Sequence, residues 1–545
     1  MRKLTAFALT ASAAMTFSPV ASGAEANTDN AEKPAVAGEI LTPPAPAEPR
    51  INGARVFGVR PGHPVLFTIP ATGDRPMTFS AENLPAGLTL AADSGQITGT
   101  LDAPGTHELT LHAKNAKGES TSALKIVVGD AICLTPPMGW NSWNSWATAV
   151  DQQKVLDAAK AFVEKGLINH GWSYINIDDT WQGQRGGEFN GIQPNEKFPD
   201  MKGLADQIHG MGLKVGIYST PWMTSYAGYV GGSSNDPSGK WSMEEMGGKN
   251  GGKFRQDGKI LFATNDAKQW AAWGIDYLKY DWNPKSPKNA AYVPTFQSQV
   301  ADMANALKST GRDIVYSYSN SFPIESAEEV TPLLNCWRTT GDIRDTWWSV
   351  TGIWSQQGKW AKFEMPGHWN DPDMLVVGYV GWGPKLHASM LTPDEQYTHI
   401  SLWCLLQAPL LIGADMTRMD DFTLSLLTND EVLAIDQDPL GKTAVVVHKE
   451  GEVNVERPNR PNGAHKVPAI QVYAKELADG SHAVGLFNLN DTPQKVGASF
   501  SELGLSGKQV VRDVWRQKDL ETVPDSVSAE VRPHGVVLLR LRDAQ

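Results

Sequence analysis

Hydrophobic positions follow three successive patterns along this chain. From Ile51 to about Gly129, short alternating runs (Val65 to Ile69, Leu88 to Leu90, His107 to His112, Ala123 to Val128) are separated by Gly and Pro turns, which predicts a small β-sandwich. After Leu134 the pattern becomes strand, helix, strand. Apolar runs at Tyr174 to Ile177, Lys214 to Tyr218, Asp276 to Tyr280, Ile314 to Tyr318 and Leu333 to Trp337 alternate with helical stretches at Gln153 to Lys165, Ala263 to Ala272 and Thr295 to Leu307. Such repetition implies parallel strands, in a doubly wound sheet or a (β/α)8 TIM barrel. Polar or aromatic groups follow successive strands at the same end: Asp178 and Asp179, Tyr218, Asp281, Ser319, Arg338. That is the layout of a barrel active site. No Gly-rich phosphate-binding fingerprint follows any strand, so the barrel is preferred. From about Thr443, strand-like runs return (Ala444 to His448, Ile470 to Ala474, Ala483 to Asn488, Gln509 to Trp515, Gly535 to Leu541), predicting a C-terminal antiparallel β-sandwich whose apolar faces can pack on the barrel.

The first 24 residues carry Arg2 and Lys3, an apolar run from Leu4 to Val20, and small residues at Ser22 to Ala24, the pattern of a cleaved signal peptide. Export to the periplasm or the extracellular space is expected. Residues 25 to 50, rich in Pro and Ala, read as a tether. The expected units are therefore 1–24, 25–50, a sandwich over 51–130, a barrel over 134–442 and a second sandwich over 443–545. No other stretch has the ~18 apolar residues of a membrane span. A net charge of −12 offers no basic stripe for nucleic acid. The three cysteines lack metal-ligand spacing, and the apolar surroundings of Cys336 and Cys404 favour buried thiols over a disulfide. Nineteen tryptophans are more than a core of this size demands, and flat rings with one polar edge suit stacking on sugars.

Hydrolysis of a glycoside with retention needs two carboxyl groups about 5 to 5.5 Å apart, one an ionised nucleophile and one a proton donor. Asp281, ending the run Tyr277-Leu278-Lys279-Tyr280-Asp281, suits the first role, because Lys279 two residues earlier shares its strand face and favours the ionised form. The segment Trp337-Arg338-Thr339-Thr340-Gly341-Asp342-Ile343-Arg344-Asp345 offers two candidates for the second, and spacing does not choose between Asp342 and Asp345. Bulk from Trp337, Trp347 and Trp348 is expected to desolvate the donor and raise its pKa. Asp178-Asp179 and Asn370-Asp371-Pro372-Asp373 supply further carboxylates, with hydrogen bonding to sugar hydroxyls as the simplest role and Asp371 equally readable as a turn former.

These motifs, together with Thr135 to Trp143, Gly216-Ile217-Tyr218, Trp369 to Met374 and Asp436 to Gly441, occur in an order that resembles the α-galactosidases of glycoside hydrolase family 27. The stretch Leu84 to Leu88 with Ile97 to Thr100 is similar to the immunoglobulin-like domains appended to exported bacterial enzymes. The first resemblance implies Asp281 as nucleophile and Asp342 as acid/base. It implies Trp143 as an apolar wall, Asp178 and Asp179 as acceptors for O4 and O6, and Lys279 as a contact to O3 and O4. Tyr218, Ser319, Arg338 and Asp373 complete the implied site. It calls for no cofactor and no metal, and its partner is a galactose-containing oligosaccharide or polysaccharide. Two departures stand out. A disulfide common beside the site is replaced by Tyr226 and Asn283, and the Glu that reads the 2-hydroxyl in many α-galactosidases is replaced by Ser319, with Phe322 three positions on. Galactose is therefore the expected sugar, with β-L-arabinopyranose, N-acetylgalactosamine or another α-glycoside as alternatives, and an inactive sugar-binding protein as the reading from another class.

Overall fold

The computed structural model describes residues 38–240, 255–283, 295–460 and 463–544, so the expected signal peptide and residues 25–37 of the expected tether lie outside the described residues. Eight parallel strands form its centre: β1 (Met138–Asn141), β2 (Tyr174–Asn176), β3 (Lys214–Ser219), β4 (Tyr277–Asp281), β5 (Val315–Ser319), β6 (Cys336–Arg338), β7 (Trp369–Asp371) and β8 (Leu410–Ile412). They pair in sequence order from β1 to β7, with β8 beside β1. Leu375, just past β7, closes the ring: its N–H donates to Leu411 O at 2.8 Å, and Gly413 N–H donates back to Leu375 O at 2.9 Å. The strands are short and nearly all buried, as expected for parallel strands covered on both faces.

The helices carry local signals that the sequence spells out. In α1 (Gln152–Glu164), the Asp151 carboxylate accepts from Lys154 N–H, and Val155, Ala158, Ala159 and Phe162 make the buried stripe. Asp200 caps α2 (Met201–Gly210), Thr295 caps α4 (Phe296–Lys308), and α3 (Ala263–Trp273) stops at Gly274 in the left-handed region, with φ 88°. Further along, α5 (Pro393–Leu405) starts with a full capping box, Thr392 and Glu395, and Pro393. Every residue of α5 from Glu395 onward is buried, because the C-terminal sandwich covers the side that the barrel does not.

That sandwich has a six-stranded antiparallel sheet faced by the pair Gln494–Ser499 and Ser526–Val531. Trp515 Nε1 donates to Ser401 Oγ on α5 at 2.8 Å, and the buried Lys475 donates to Gln407 Oε1 and Ile435 O. These contacts make it a structural part of the barrel. The N-terminal sandwich, with sheets of four and three strands, sits at the opposite end of the barrel from the strand C-termini. Arg60 and His63 bond Asp313 ahead of β5, Thr68 Oγ1 donates to Gly212 O ahead of β3, and Asn52 Nδ2 donates to Asn169 O ahead of β2. It is a fixed base under the barrel floor.

Residues 38–50 correct the tether reading in part. Leu41 N–H donates to Tyr397 Oη, Thr42 Oγ1 donates to Ser425 O, and Arg50 pairs with Asp430, so this stretch runs along the barrel wall, anchored by its few polar and apolar side chains. Composition suggested a free segment because Pro and Ala offer little to bury; hydrogen bonds to α5 and its neighbours anchor it instead.

One buried ion pair positions the loops near the site. Arg185, on the hairpin that follows β2, makes a two-pronged contact with Asp266 of α3 at 2.5 and 2.8 Å, both side chains fully buried, and also donates to Gly231 O in the loop after β3. Removing one partner leaves the other charge buried and uncompensated, so Asp266→Asn is expected to cost roughly 3 to 5 kcal/mol. Breaking the exposed Lys202–Asp206 pair by Lys202→Ala should cost under about 1 kcal/mol. Thermal unfolding of the two variants side by side checks this; equal losses would contradict it.

Candidate active site

The expected site residues gather towards the C-terminal ends of the barrel strands. Asp281, Ser319 and Arg338 are the last residues of β4, β5 and β6, and Tyr218 is the penultimate residue of β3. Asp178 and Asp179 follow β2 at a turn in which Thr180 takes φ 89°, and Asp373 follows β7 with φ 85°. Backbone strain at two non-glycine residues on one face is a sign that the structure spends stability there on geometry.

The hydrogen bonds divide these residues into linked groups. Tyr218 Oη donates to Asp281 Oδ2 at 2.9 Å, while Asn320 Nδ2 donates to Asp281 Oδ1. Both carboxylate oxygens of Asp281 are thus oriented by neutral donors. Lys279 Nζ contacts Asp178 Oδ2 at 2.7 Å, and Asp178 Oδ1 accepts from Asp179 N–H. Asp179 accepts from Thr180 N–H and from Ala227 N–H in the loop after β3. Arg338 Nη2 lies 2.9 Å from Asp373 Oδ2 and 3.3 Å from Asp342 Oδ1, joining β6, β7 and the loop that carries Asp342. Asp371 Oδ1 accepts from Asp373 N–H, which makes Asp371 the turn former of its motif. Trp143 is half-buried at the start of a short helix after β1, its N–H donating to Asn141 Oδ1.

Asp342 and Asp345 have different surroundings. Asp345 is buried, and its Oδ2 accepts from Met390 N–H at 3.0 Å and lies 3.1 Å from His387 Nε2. Its acceptor capacity is spent on holding the hairpin 379–388. Asp342 has a side chain 63% exposed and reaches the mouth of the site.

The electrostatics depart from expectation. Burial pushes the Asp281 carboxyl up to about 7, against the opposing pull of Lys279 and the Tyr218 hydrogen bond. Part of the Lys279 charge is committed to Asp178, which weakens the help expected from it. Partial burial would raise Asp342, but Arg338, Lys279 and Arg344 outweigh it and hold that carboxyl below its usual value. The tryptophans expected to dehydrate Asp342 are elsewhere. Trp337 is buried in β6, Trp347 stacks on His534, and Trp348 Nε1 donates to Gly463 O. Burial thus favours the proton on Asp281, while the neighbouring cations favour the ionised form of Asp342.

Two residues escaped the sequence reading in their present roles. Asn320 takes φ 70°, which turns its amide onto the nucleophile candidate; Asn tolerates this conformation, and Ser-Asn-Ser after a strand end was the available signal. Tyr226 accepts from Asn320 Nδ2 at 3.3 Å and packs against Trp222 and Arg255. Phe322 is turned away from the pocket, buried among Phe296, Tyr318 and Trp360. It therefore does not set the room available at the sugar 2-position.

Comparison with known proteins agrees with this geometry. Residues 135–238 and 243–438 match the family described as alpha galactosidase A, residues 468–541 match its C-terminal beta sandwich domain, and residues 48–129 match an Ig-domain family. Alpha-galactosidase 2 of Arabidopsis thaliana is 35% identical over 421 residues, spanning 76% of this chain and 92% of that protein. A Bacteroides fragilis crystal structure described as a candidate alpha-galactosidase superposes with a TM-score of 0.76 at 32% identity, covering 94% of this chain and all of the other. A family 27 β-L-arabinopyranosidase from Geobacillus stearothermophilus superposes with a TM-score of 0.61 at 27% identity, covering 75% of this chain and 98% of that one. With a closed barrel, its carboxylates at the strand ends and a family match over more than half its length, this chain belongs to the α-galactosidase family of glycoside hydrolases.

Proposed function

We propose that the protein is an exo-acting α-galactosidase that works with retention, Asp281 serving as nucleophile and Asp342 as acid/base. The observation that carries the reading is the pair of donors on Asp281. Tyr218 and Asn320 leave its lone pairs aimed and its charge partly satisfied, as a carboxylate that attacks carbon requires. The pocket floor, lined by Tyr277, Lys279, Ser319, Arg338 and Asp373, ends in a void of about 10 Å³, no larger than one water. Exo action rests on the likeness to α-galactosidases.

The two chemical steps follow from these groups. Asp281 attacks the anomeric carbon while Asp342 gives its proton to the departing glycosidic oxygen, leaving a galactosyl ester on Asp281. Asp342, now ionised, takes a proton from water, which attacks the anomeric carbon, breaks its bond to the Asp281 oxygen, and so frees both the sugar and the Asp281 carboxylate. Positive charge develops on the sugar in both transition states. Two cations, Lys279 and Arg338, sit among the carboxylates Asp178, Asp281, Asp342 and Asp373, so the site is negative where that charge appears. A bound sugar also covers the exposed Asp342 and strips its water, which moves the shared proton from Asp281 to Asp342 as the reaction needs. Asp178 and Asp179 accept from O4 and O6, with Trp143 as the apolar wall. Export, to the periplasm or beyond the cell, remains part of the proposal on the strength of the first 24 residues.

The test is a panel of four aryl glycosides: α-galactoside, α-N-acetylgalactosaminide, β-L-arabinopyranoside and α-glucoside. The α-galactoside is expected to exceed the arabinopyranoside and the α-glucoside in kcat/KM by roughly tenfold or more, because unsatisfied acceptors at Asp178 and Asp179 penalise sugars that lack the axial O4 or the C6 hydroxyl, while its ratio to the N-acetylgalactosaminide reads the 2-position beside Ser319. A higher value for the arabinopyranoside or the N-acetylgalactosaminide would move the protein to that specificity. Binding of galactose with no turnover of any of the four would overturn the enzyme reading.

A further inference from the structure

The hairpin 379–388 follows β7 on the active-site face, its strands Tyr379–Val380 and His387–Ala388 pairing antiparallel. Its tip reads Gly381-Trp382-Gly383. Trp382 takes φ 50°, a left-handed conformation that is an outlier for so bulky a residue. The surroundings enforce it. Gly381 N–H and Trp382 N–H both donate to Asn144 O, at 2.9 and 3.0 Å, and Gly383 N–H donates to Ser145 O at 3.2 Å. Asn144 is the neighbour of the pocket wall Trp143. On the other side, buried Asp345 binds His387 and Met390 N–H, fixing the hairpin to the loop of the acid/base. Half-buried Trp382 thus lies on a hairpin held on one side to the segment after Trp143 and on the other to that loop. The Arg344 guanidinium lies 4.5 Å from its ring centroid, two residues past Asp342. Arg344 is itself exposed, leaving its N–H donors at the rim.

We infer that Trp382 and Arg344 form the surface on which this enzyme seats the leaving-group sugar, which makes them determinants of the preference among leaving groups. The inference rests on the galactosidase reading, since it places the departing glycosyl unit beside Asp342. A strained, rigidly pinned indole costs stability that a surface ring without a ligand would not need. An indole face suits the apolar face of a pyranose, and a guanidinium beside it supplies hydrogen-bond donors to ring hydroxyls.

The experiment compares two substrates in one enzyme. α-Galactosyl fluoride has a leaving group with nothing to place in the subsite, whereas raffinose presents sucrose there. Trp382→Ala is expected to lower the ratio of kcat/KM for raffinose to that for the fluoride by about tenfold, mostly through KM, a loss corresponding to one good contact. Trp382→Phe, which keeps a ring, should recover part of the ratio. Equal losses on both substrates would assign Trp382 a purely structural role and overturn the inference, as would an unchanged ratio. Failure of the galactosidase reading has a separate signature, which is wild-type protein that hydrolyses neither substrate.

Discussion

Asp281→Ala should lower kcat/KM on an aryl α-galactoside by roughly 10,000-fold or more, the scale of loss when a covalent nucleophile is removed. The variant should fold, because both donors to Asp281, Tyr218 Oη and Asn320 Nδ2, lie in a site that water can reach once the carboxyl is gone. Azide added to this variant can occupy the vacated volume and attack the anomeric carbon from the same side, expelling the leaving group. The product is then β-galactosyl azide, with inverted configuration. Activity near the wild-type level, or rescue without that product, would remove Asp281 from the nucleophile role.

Asp342→Asn should behave differently in three respects. Loss of a general acid costs about 100- to 10,000-fold, and the deficit should be largest on raffinose and smallest on substrates whose leaving groups need no proton. Azide should now yield α-galactosyl azide, because the ester on Asp281 forms before azide replaces water. The third difference lies in the pH profile. In the wild type, the active form of the pair carries a single proton. With Asp281 pushed up to about 7 by burial, kcat/KM should fall as pH rises through about 7 and that proton is lost. It should fall again at the acid end, below the ordinary carboxylate range, where Arg338 holds the second ionisation. In Asp342→Asn only Asp281 remains, and it must be ionised to attack. Activity on α-galactosyl fluoride should then rise with pH, reversing the alkaline limb. Asp345→Asn serves as the contrast: it loosens the hairpin 379–388 and should yield no azide adduct at any pH.

Much of this architecture was legible because the barrel repeats one rule. Each apolar run ends in a polar group, and the period of the runs places all those ends together, which is how Asp178, Tyr218, Asp281, Ser319 and Arg338 were found before any coordinates. The strands β7 and β8 were harder to place. Trp369–Asp371 and Leu410–Ile412 are three residues long, and although β2 and β6 are no longer, only the latter two lay in runs that the period marked as strands. Asp342 and Asp345 could not be separated by spacing, since the difference between them is burial and a hairpin 40 residues away in sequence. Asn320 was hidden for a related reason. Its role depends on a left-handed backbone at one position, which local sequence permits but does not demand. The dehydration expected of Trp347 and Trp348 was misplaced because both rings face the C-terminal sandwich, through His534 and Gly463, and nothing in a local window reveals a neighbour over a hundred residues away.

The proton distribution also sharpens the mechanism. Burial favours the proton on Asp281 and the cations favour an ionised Asp342, whereas the proposed chemistry needs the reverse, which a sugar that covers Asp342 would bring about. Binding energy from the sugar is thereby coupled to the protonation state that the chemistry uses. Lys279 contributes by remaining charged: burial works against it, but Asp178 and Asp281 outweigh that penalty.

The central claim is that galactosyl transfer passes through an ester on Asp281. Incubation with 5-fluoro-α-galactosyl fluoride, which forms such an ester readily and hydrolyses it slowly, followed by peptide mass mapping, tests it directly. The account predicts one fluorogalactosyl label per chain, on Asp281; a label on Asp342 or any other residue, or full turnover with no covalent species, would contradict it.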